Sequence, residues 1–239
     1  TSRFFLSSYL SLKALKGVYS FKAYQNVFAD PKFVTSFSSS VFWAVLTIIL
    51  GIVVFVPTAY WVRLRVPQLR SAVELITLMP FVVPAIVYVF GLVRTYSHPP
   101  LLIVNSPGLL VAGYTVLSMP YMYRSIDTGL RAIDIQTLTE AAQSLGAGWG
   151  TILFRVIFPN IRVAILSGAF LSFAIVLGEY TLAQYLAKPA FGPYIGLLIQ
   201  NKAYEPAAAT IISFALTWTA MGILEIIGRG KQTQLVGGH

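Results

Sequence analysis

Five stretches of this chain are long, apolar and almost free of charge, and they limit what it can fold into. They fall at 33–62 (most apolar from 41 to 62), 75–93, 107–123, 163–187 and 206–224. A helix needs about 20 apolar residues to cross a hydrocarbon core ~30 Å thick. Only Glu179 interrupts the fourth run. Pro57, Pro80, Pro84 and Pro120 lie inside the runs. Membrane bundles accept such prolines because neighbouring helices re-satisfy the freed carbonyls. No long apolar–polar alternation suggests a barrel. The predicted fold class is therefore all-α, a polytopic membrane helical bundle with five visible spans.

Composition closes the alternatives. The chain is 56% hydrophobic and 10% charged, whereas a soluble domain carries about 25% charged residues. With no cysteine, disulfides and thiolate metal sites are excluded. The two histidines, His98 and His239, are far apart, and His239 ends a Gly-Gly-His tail that reads as an appended segment. No metal site is expected. The formal net charge of +9 marks the flanks of membrane helices rather than a nucleic-acid surface.

Charge does not settle orientation. Five spans put nine basic residues on one side, among them Arg63, Arg70, Arg124, Arg131 and Arg155, and eight on the other. Five of those eight precede the first span, within residues 1–36. That segment is expected to be external and to follow an earlier, sixth span that this chain lacks. Residues 1–12 are apolar but too short to cross.

One segment breaks the pattern. Residues 140–159, EAAQSLGAGWGTILFRVIFP, place Glu140, Gln143 and Arg155 among three glycines. Asp134 is a predicted N-cap, its carboxylate accepting an orphan backbone N–H. A short helix is expected over 135–145, with Ile135, Leu138, Ala142 and Leu145 on one face. Gly146 fits the left-handed residue that ends a helix. After the turn Ala147-Gly148-Trp149-Gly150, a second helix is expected over 151–158, closed by Pro159. Ala141 and Ala142 would offer a bald face to another protein, with Glu140 and Arg155 at the rim. On periodicity alone, an amphipathic loop resting on lipid headgroups is the plainer reading.

The spacing EAA, three residues, Gly, nine residues, then Val156-Ile157-Phe158-Pro159 resembles the EAA signature of permease subunits of binding-protein-dependent ABC importers. Val156 and Phe158 stand where that signature has Ile and Leu. The resemblance covers about residues 37–230 and looks closest to spermidine/putrescine-type permeases. It implies a type I importer permease fold with a transmembrane domain at 37–230, a cytoplasmic coupling loop at 124–162 and a tail at 231–239. It implies that Glu140, Ala141, Ala142, Leu145, Gly146, Ala147 and Pro159 couple to ATPase subunits. The implied partners are two ATPase subunits, a second permease that is a homologous different chain, an external solute-binding protein and membrane lipid. No nucleic acid is implied. The chain itself would be non-catalytic and carry no cofactor; ATP and Mg would be bound by the ATPase subunits. The implied location is a bacterial-type inner membrane.

Glu179 is the acid inside the fourth run, and ionisable groups at membrane depth are functional suspects. Counted from Ile161 it lies about 27 Å along a helix, near the outer edge of the hydrocarbon. It would either meet a cationic substrate on the pathway or cap a broken helix. Tyr180 and Tyr185 could join it by cation–π attraction, or serve as interfacial aromatics. The implied cargo is a small polar solute such as a polyamine. However, polyamine permeases often show paired aspartates here, whereas Gly178-Glu179-Tyr180 also resembles permeases for sulfate, molybdate or iron. The alternative cargo is thus an anion, iron or an opine-like solute. Glu74 and Glu225 are expected to be solvated interfacial charges, and Arg94 and His98 to be exposed in an outer loop. A self-contained secondary transporter would show inverted repeats and paired midplane charges, an enzyme a convergent catalytic set. Neither is visible, and no phosphate-cradling glycine loop occurs.

Overall fold

The computed structural model describes residues 21–229, and every element in it is a helix. Residues 1–20 and 230–239, the expected tail at 231–239 among them, lie outside the described residues, as do the expectations placed on them. The elements are α1 (Lys22–Ala29), α2 (Pro31–Arg65), a 3₁₀ turn (Pro67–Leu69), α3 (Arg70–Val82), α4 (Ala85–Tyr96) and α5 (Pro107–Arg131). They continue with α6 (Ile135–Ser144), α7 (Trp149–Asn160), α8 (Arg162–Gly178), α9 (Thr181–Tyr185), α10 (Phe191–Asn201) and α11 (Glu205–Arg229).

All five apolar runs are helical, but two are not continuous. The second breaks between α3 and α4, which bend by 101°. Pro84 has no N–H to continue the ladder and forces the residue before it out of the helical region; Val83 sits at ψ 117°. The fourth run stops at Gly178 and resumes as α9. By length and hydropathy, among the described residues α2 alone is long and apolar enough to cross a membrane; the pairs α3–α4 and α7–α8 qualify if each counts as one span. α5 is more polar than a lipid-facing helix because it is a central one. Thirteen of its residues are buried, Thr115, Ser118 and Asp127 among them. Between the fourth and fifth apolar runs lies a further helix, α10.

The described residues form two compact units, one of residues 43–176, the other of residues 21–42 with 177–229. In the first, Phe55, Tyr60, Met122, Ile126, Ile157 and Ile165 form the core. There α5 and α8 cross nearly backbone to backbone. A Cβ on Gly129 would overlap the Ala164 methyl, and one on Gly168 would stand 2.8 Å from the Met122 sulfur and 3.2 Å from its Cα. Small residues at such crossings are how membrane helices approach closely. In the second unit, Phe33, Phe37, Phe191 and Tyr194 form an aromatic cluster with ring centroids 5.6 to 6.1 Å apart. Asp30 accepts from the Tyr194 hydroxyl at 3.1 Å, and Asn26 donates to Glu205 at 3.0 Å.

Candidate functional site

The segment that broke the sequence pattern is a structured elbow. Asp134 caps α6: Thr137 N–H donates to one carboxylate oxygen at 3.1 Å and the Thr137 hydroxyl to the other at 2.7 Å. These two bonds hold the exposed Asp134 carboxyl below the usual aspartate range. α6 ends as expected, with Gly146 at φ +78°. The Ala147 N–H reaches back to the Ala142 carbonyl at 3.0 Å and the Gly146 N–H to Gln143 at 2.9 Å, the paired closure that a left-handed glycine permits.

The elbow is strapped to α2. The Tyr60 hydroxyl bonds Thr139 at 2.8 Å, and both are buried. Ala142 lies in the core with Ile152 and Ile157. On the far side, the Arg65 guanidinium sits 5.4 Å from the Trp149 ring and 5.9 Å from Trp61, and the two indoles meet edge to face at 5.2 Å. The Trp149–Arg65–Trp61 triad combines cation–π attraction with aromatic packing.

This packing corrects two expectations. Ala142 is not part of a bald outer face; it is buried, and only Ala141 is exposed. Leu145 does not share the inward face of Ile135 and Leu138. It lies past the last helical turn and is 88% exposed. Glu140 and Gly146 are exposed as well, Ala147 packs against the core, and Pro159 is exposed. Glu140 accepts from Gln136 at 3.1 Å. The second helix also differs: Ile152–Ile157 winds as a π-helix. Asn160 fills the Val156 carbonyl with its side-chain amide at 2.7 Å. π turns inside helices concentrate at functional positions.

At the other candidate site, Glu179 caps α9. Its carboxylate accepts from the Leu182 N–H at 2.9 and 3.0 Å and from Ala183 at 3.4 Å. The break at Glu179-Tyr180 is seated on α10, where a Cβ on Gly192 would overlap the Glu179 carbonyl oxygen and one on Gly196 would lie 2.7 Å from the Tyr180 ring. Tyr180 and Tyr185 are both about half exposed. Arg94 and His98 are exposed, as expected, and the His98 ring bonds the Arg94 carbonyl at 3.1 Å.

Sequence reasoning missed a charge network. Asp127, with its side chain 8% exposed, receives Arg63 at 2.6 Å and Arg131 at 2.7 Å, and Arg70 stands 3.9 Å away. Glu74, expected to be a solvated interfacial charge, receives Arg70 at 2.9 Å and Arg131 at 3.1 Å. The side chain of Glu225 is outside what the structure describes. One polar cavity of about 300 Å³ borders this network, and Arg124 and Thr128 line both it and a second cavity of about 410 Å³.

The model of the family described as binding-protein-dependent transport system inner membrane component matches residues 48–230. This chain belongs to that family. As an inner membrane component it is a transport permease subunit, of a family that is generally non-catalytic and works with ATPase and solute-binding partners, generally as a permease pair. It is 27% identical to the molybdate/tungstate transport system permease protein WtpB of Pyrococcus furiosus over 91% of this permease and 87% of that one. It is 28% identical to the molybdenum transport system permease protein ModB of Mycobacterium tuberculosis, over 86% and 81%. With the probable sulfate transport system permease protein cysT of Chlorokybus atmophyticus the identity is 32%, over 85% and 76%. The permease fold also matches the crystal structure of a bacterial ABC transporter involved in the import of the acidic polysaccharide alginate. That match has a TM-score of 0.66 and 18% identity, over 96% of this permease and 88% of that chain. These relatives correct the expected closeness to spermidine/putrescine-type permeases: they are named for molybdate, tungstate and sulfate.

Proposed function

We propose that this permease forms the translocation pathway of an ATP-driven importer for a tetrahedral oxyanion of the molybdate, tungstate and sulfate class. The likeness to three oxyanion permeases over most of both chains carries the reading. The placement of Glu179 agrees with it. A carboxylate spent on the N–H groups of α9 is a structural cap, and its sign opposes an anion. Tyr180 and Tyr185 then serve as interfacial aromatics beside it.

Coupling is assigned to the exposed part of the elbow. Glu140, Ala141, Leu145 and Gly146 present the surface that an ATPase subunit grips on the cytoplasmic side. Ala142, Ala147 and Pro159 hold that surface in place from beneath and behind. Two ATPase subunits bind ATP and Mg; a second, homologous permease completes the pathway, and an external binding protein delivers the anion. Each state is favoured only by a partner's differential affinity for it.

Reconstitution of the whole complex with its binding protein and ATPase subunits tests this. ATP-driven uptake of molybdate, tungstate or sulfate is expected, with spermidine neither taken up nor competing. Uptake of spermidine alone would replace the anion reading with the polyamine one.

A further inference from the structure

The 410 Å³ cavity in the unit of residues 43–176 has a lining unlike its surroundings. Tyr121, Arg124, Ser125 and Thr128 enter it from α5, and Ser167 from α8. The four α5 positions follow i, i+3, i+4, i+7, one face of one helix. No carboxylate lines the cavity. Among the described residues, Arg124 makes no ion pair or hydrogen bond, and the same holds for the hydroxyls of Tyr121, Ser125 and Thr128. Ser167 differs: its hydroxyl is spent on the Val163 carbonyl at 3.0 Å.

Depth sharpens the point. Counted from Pro107, Arg124 lies about 25 Å along α5, near the edge of a ~30 Å hydrocarbon core. An arginine at that depth is tolerated where it faces water or a partner. The neighbouring network does not neutralise it: Arg63, Arg70 and Arg131 face only Asp127 and Glu74. Three positive against two negative charges leave +1, and Arg124 makes +2. The 410 Å³ cavity itself carries one guanidinium, three uncommitted hydroxyls and no acid, a lining that attracts an anion, while Asp127 and Glu74 line the neighbouring 300 Å³ cavity that Arg124 and Thr128 share.

We propose that Arg124, with Tyr121, Ser125 and Thr128, forms an oxyanion-binding station on the inner half of the pathway. Arg124 supplies charge and a forked pair of N–H donors, and the hydroxyls complete a shell around a tetrahedral anion. This assignment rests on the oxyanion-importer reading and deepens it.

Uptake of radiolabelled molybdate and sulfate by the reconstituted full complex tests it, with assembly measured for every variant by co-purification of all subunits. Arg124→Gln is expected to lower the uptake rate at least about tenfold, the scale of one charge-assisted contact. Arg124→Lys is expected to restore part of it, since the charge stays and the fork is lost. Thr128→Val, close to isosteric, is expected to raise the half-saturating external concentration several-fold for both anions. Wild-type rates in Arg124→Gln together with wild-type half-saturation in Thr128→Val would overturn the station. So would failure of Arg124→Gln to assemble with the second permease, which would make this face a subunit interface. A wild-type complex that imports neither anion refutes the importer reading instead, so the two failures are distinct.

Discussion

At the scale of single residues, Gly146 carries the most specific burden. Its φ of +78° lies in the left-handed region, yet a Cβ there would meet nothing within 4 Å. A larger side chain therefore has room but not the backbone. For a β-branched residue that conformation is a genuine outlier, whereas asparagine tolerates it. Gly146→Val is expected to cut ATP-driven uptake at least about tenfold with normal membrane insertion, and Gly146→Asn to keep most of it. Uptake assays alongside quantified membrane protein decide this. Equal loss in both variants would point to bulk rather than backbone conformation. The glycine was legible because αL closure leaves a mark in sequence, and so was the Asp134 cap. The exposure of Leu145 was not. Three- and four-residue spacing places a residue on a face only while the helix lasts, and α6 ends one residue earlier.

At the scale of elements, the breaks were the hard part. An apolar run reports that a segment can sit in lipid, not where it bends. Pro57 and Pro84 look alike in sequence. Pro57 lies inside the unbroken α2, whereas Pro84 separates α3 from α4 at 101°. The Glu179 break has a clearer structural support. α10 presents Gly192 and Gly196 to it with no side chain between, so a methyl at Gly192 collides with main chain that cannot rotate away. Gly192→Ala is expected to destabilise the protein by about 1–3 kcal/mol, the range of overpacking. Gly91→Ala, with open space around its Cβ, is the matched control and should be neutral or slightly stabilising. Thermal unfolding of the two variants in detergent compares them directly. A Gly192→Ala protein as stable as Gly91→Ala would mean that the two backbones are not in contact.

At the scale of the whole molecule, the ion network was invisible for a simple reason. Glu74 and Asp127 are 53 positions apart, and each arginine taken alone reads as a flank charge on a membrane helix. Only the packing of α2, α3 and α5 brings them together. Breaking a buried pair from one side leaves the other charge stranded, at about 3–5 kcal/mol. Asp127→Asn is expected to lower stability by about 3 kcal/mol in the same unfolding assay, and Glu74→Gln, at a site 44% exposed, by under about 1 kcal/mol. Similar losses for both would place the weight of the network on its rim instead of on Asp127.

One carboxylate thus takes Arg63 from α2 and Arg131 from α5, with Arg70 of α3 alongside. α2 cannot part from α5 at that end without stranding Arg63, which pairs with Asp127 alone among the described residues, whereas Arg70 keeps Glu74 on α3 itself and Arg131 keeps Asp127 on α5. Relative movement of α2 and α5 is therefore expected to be smallest at this corner.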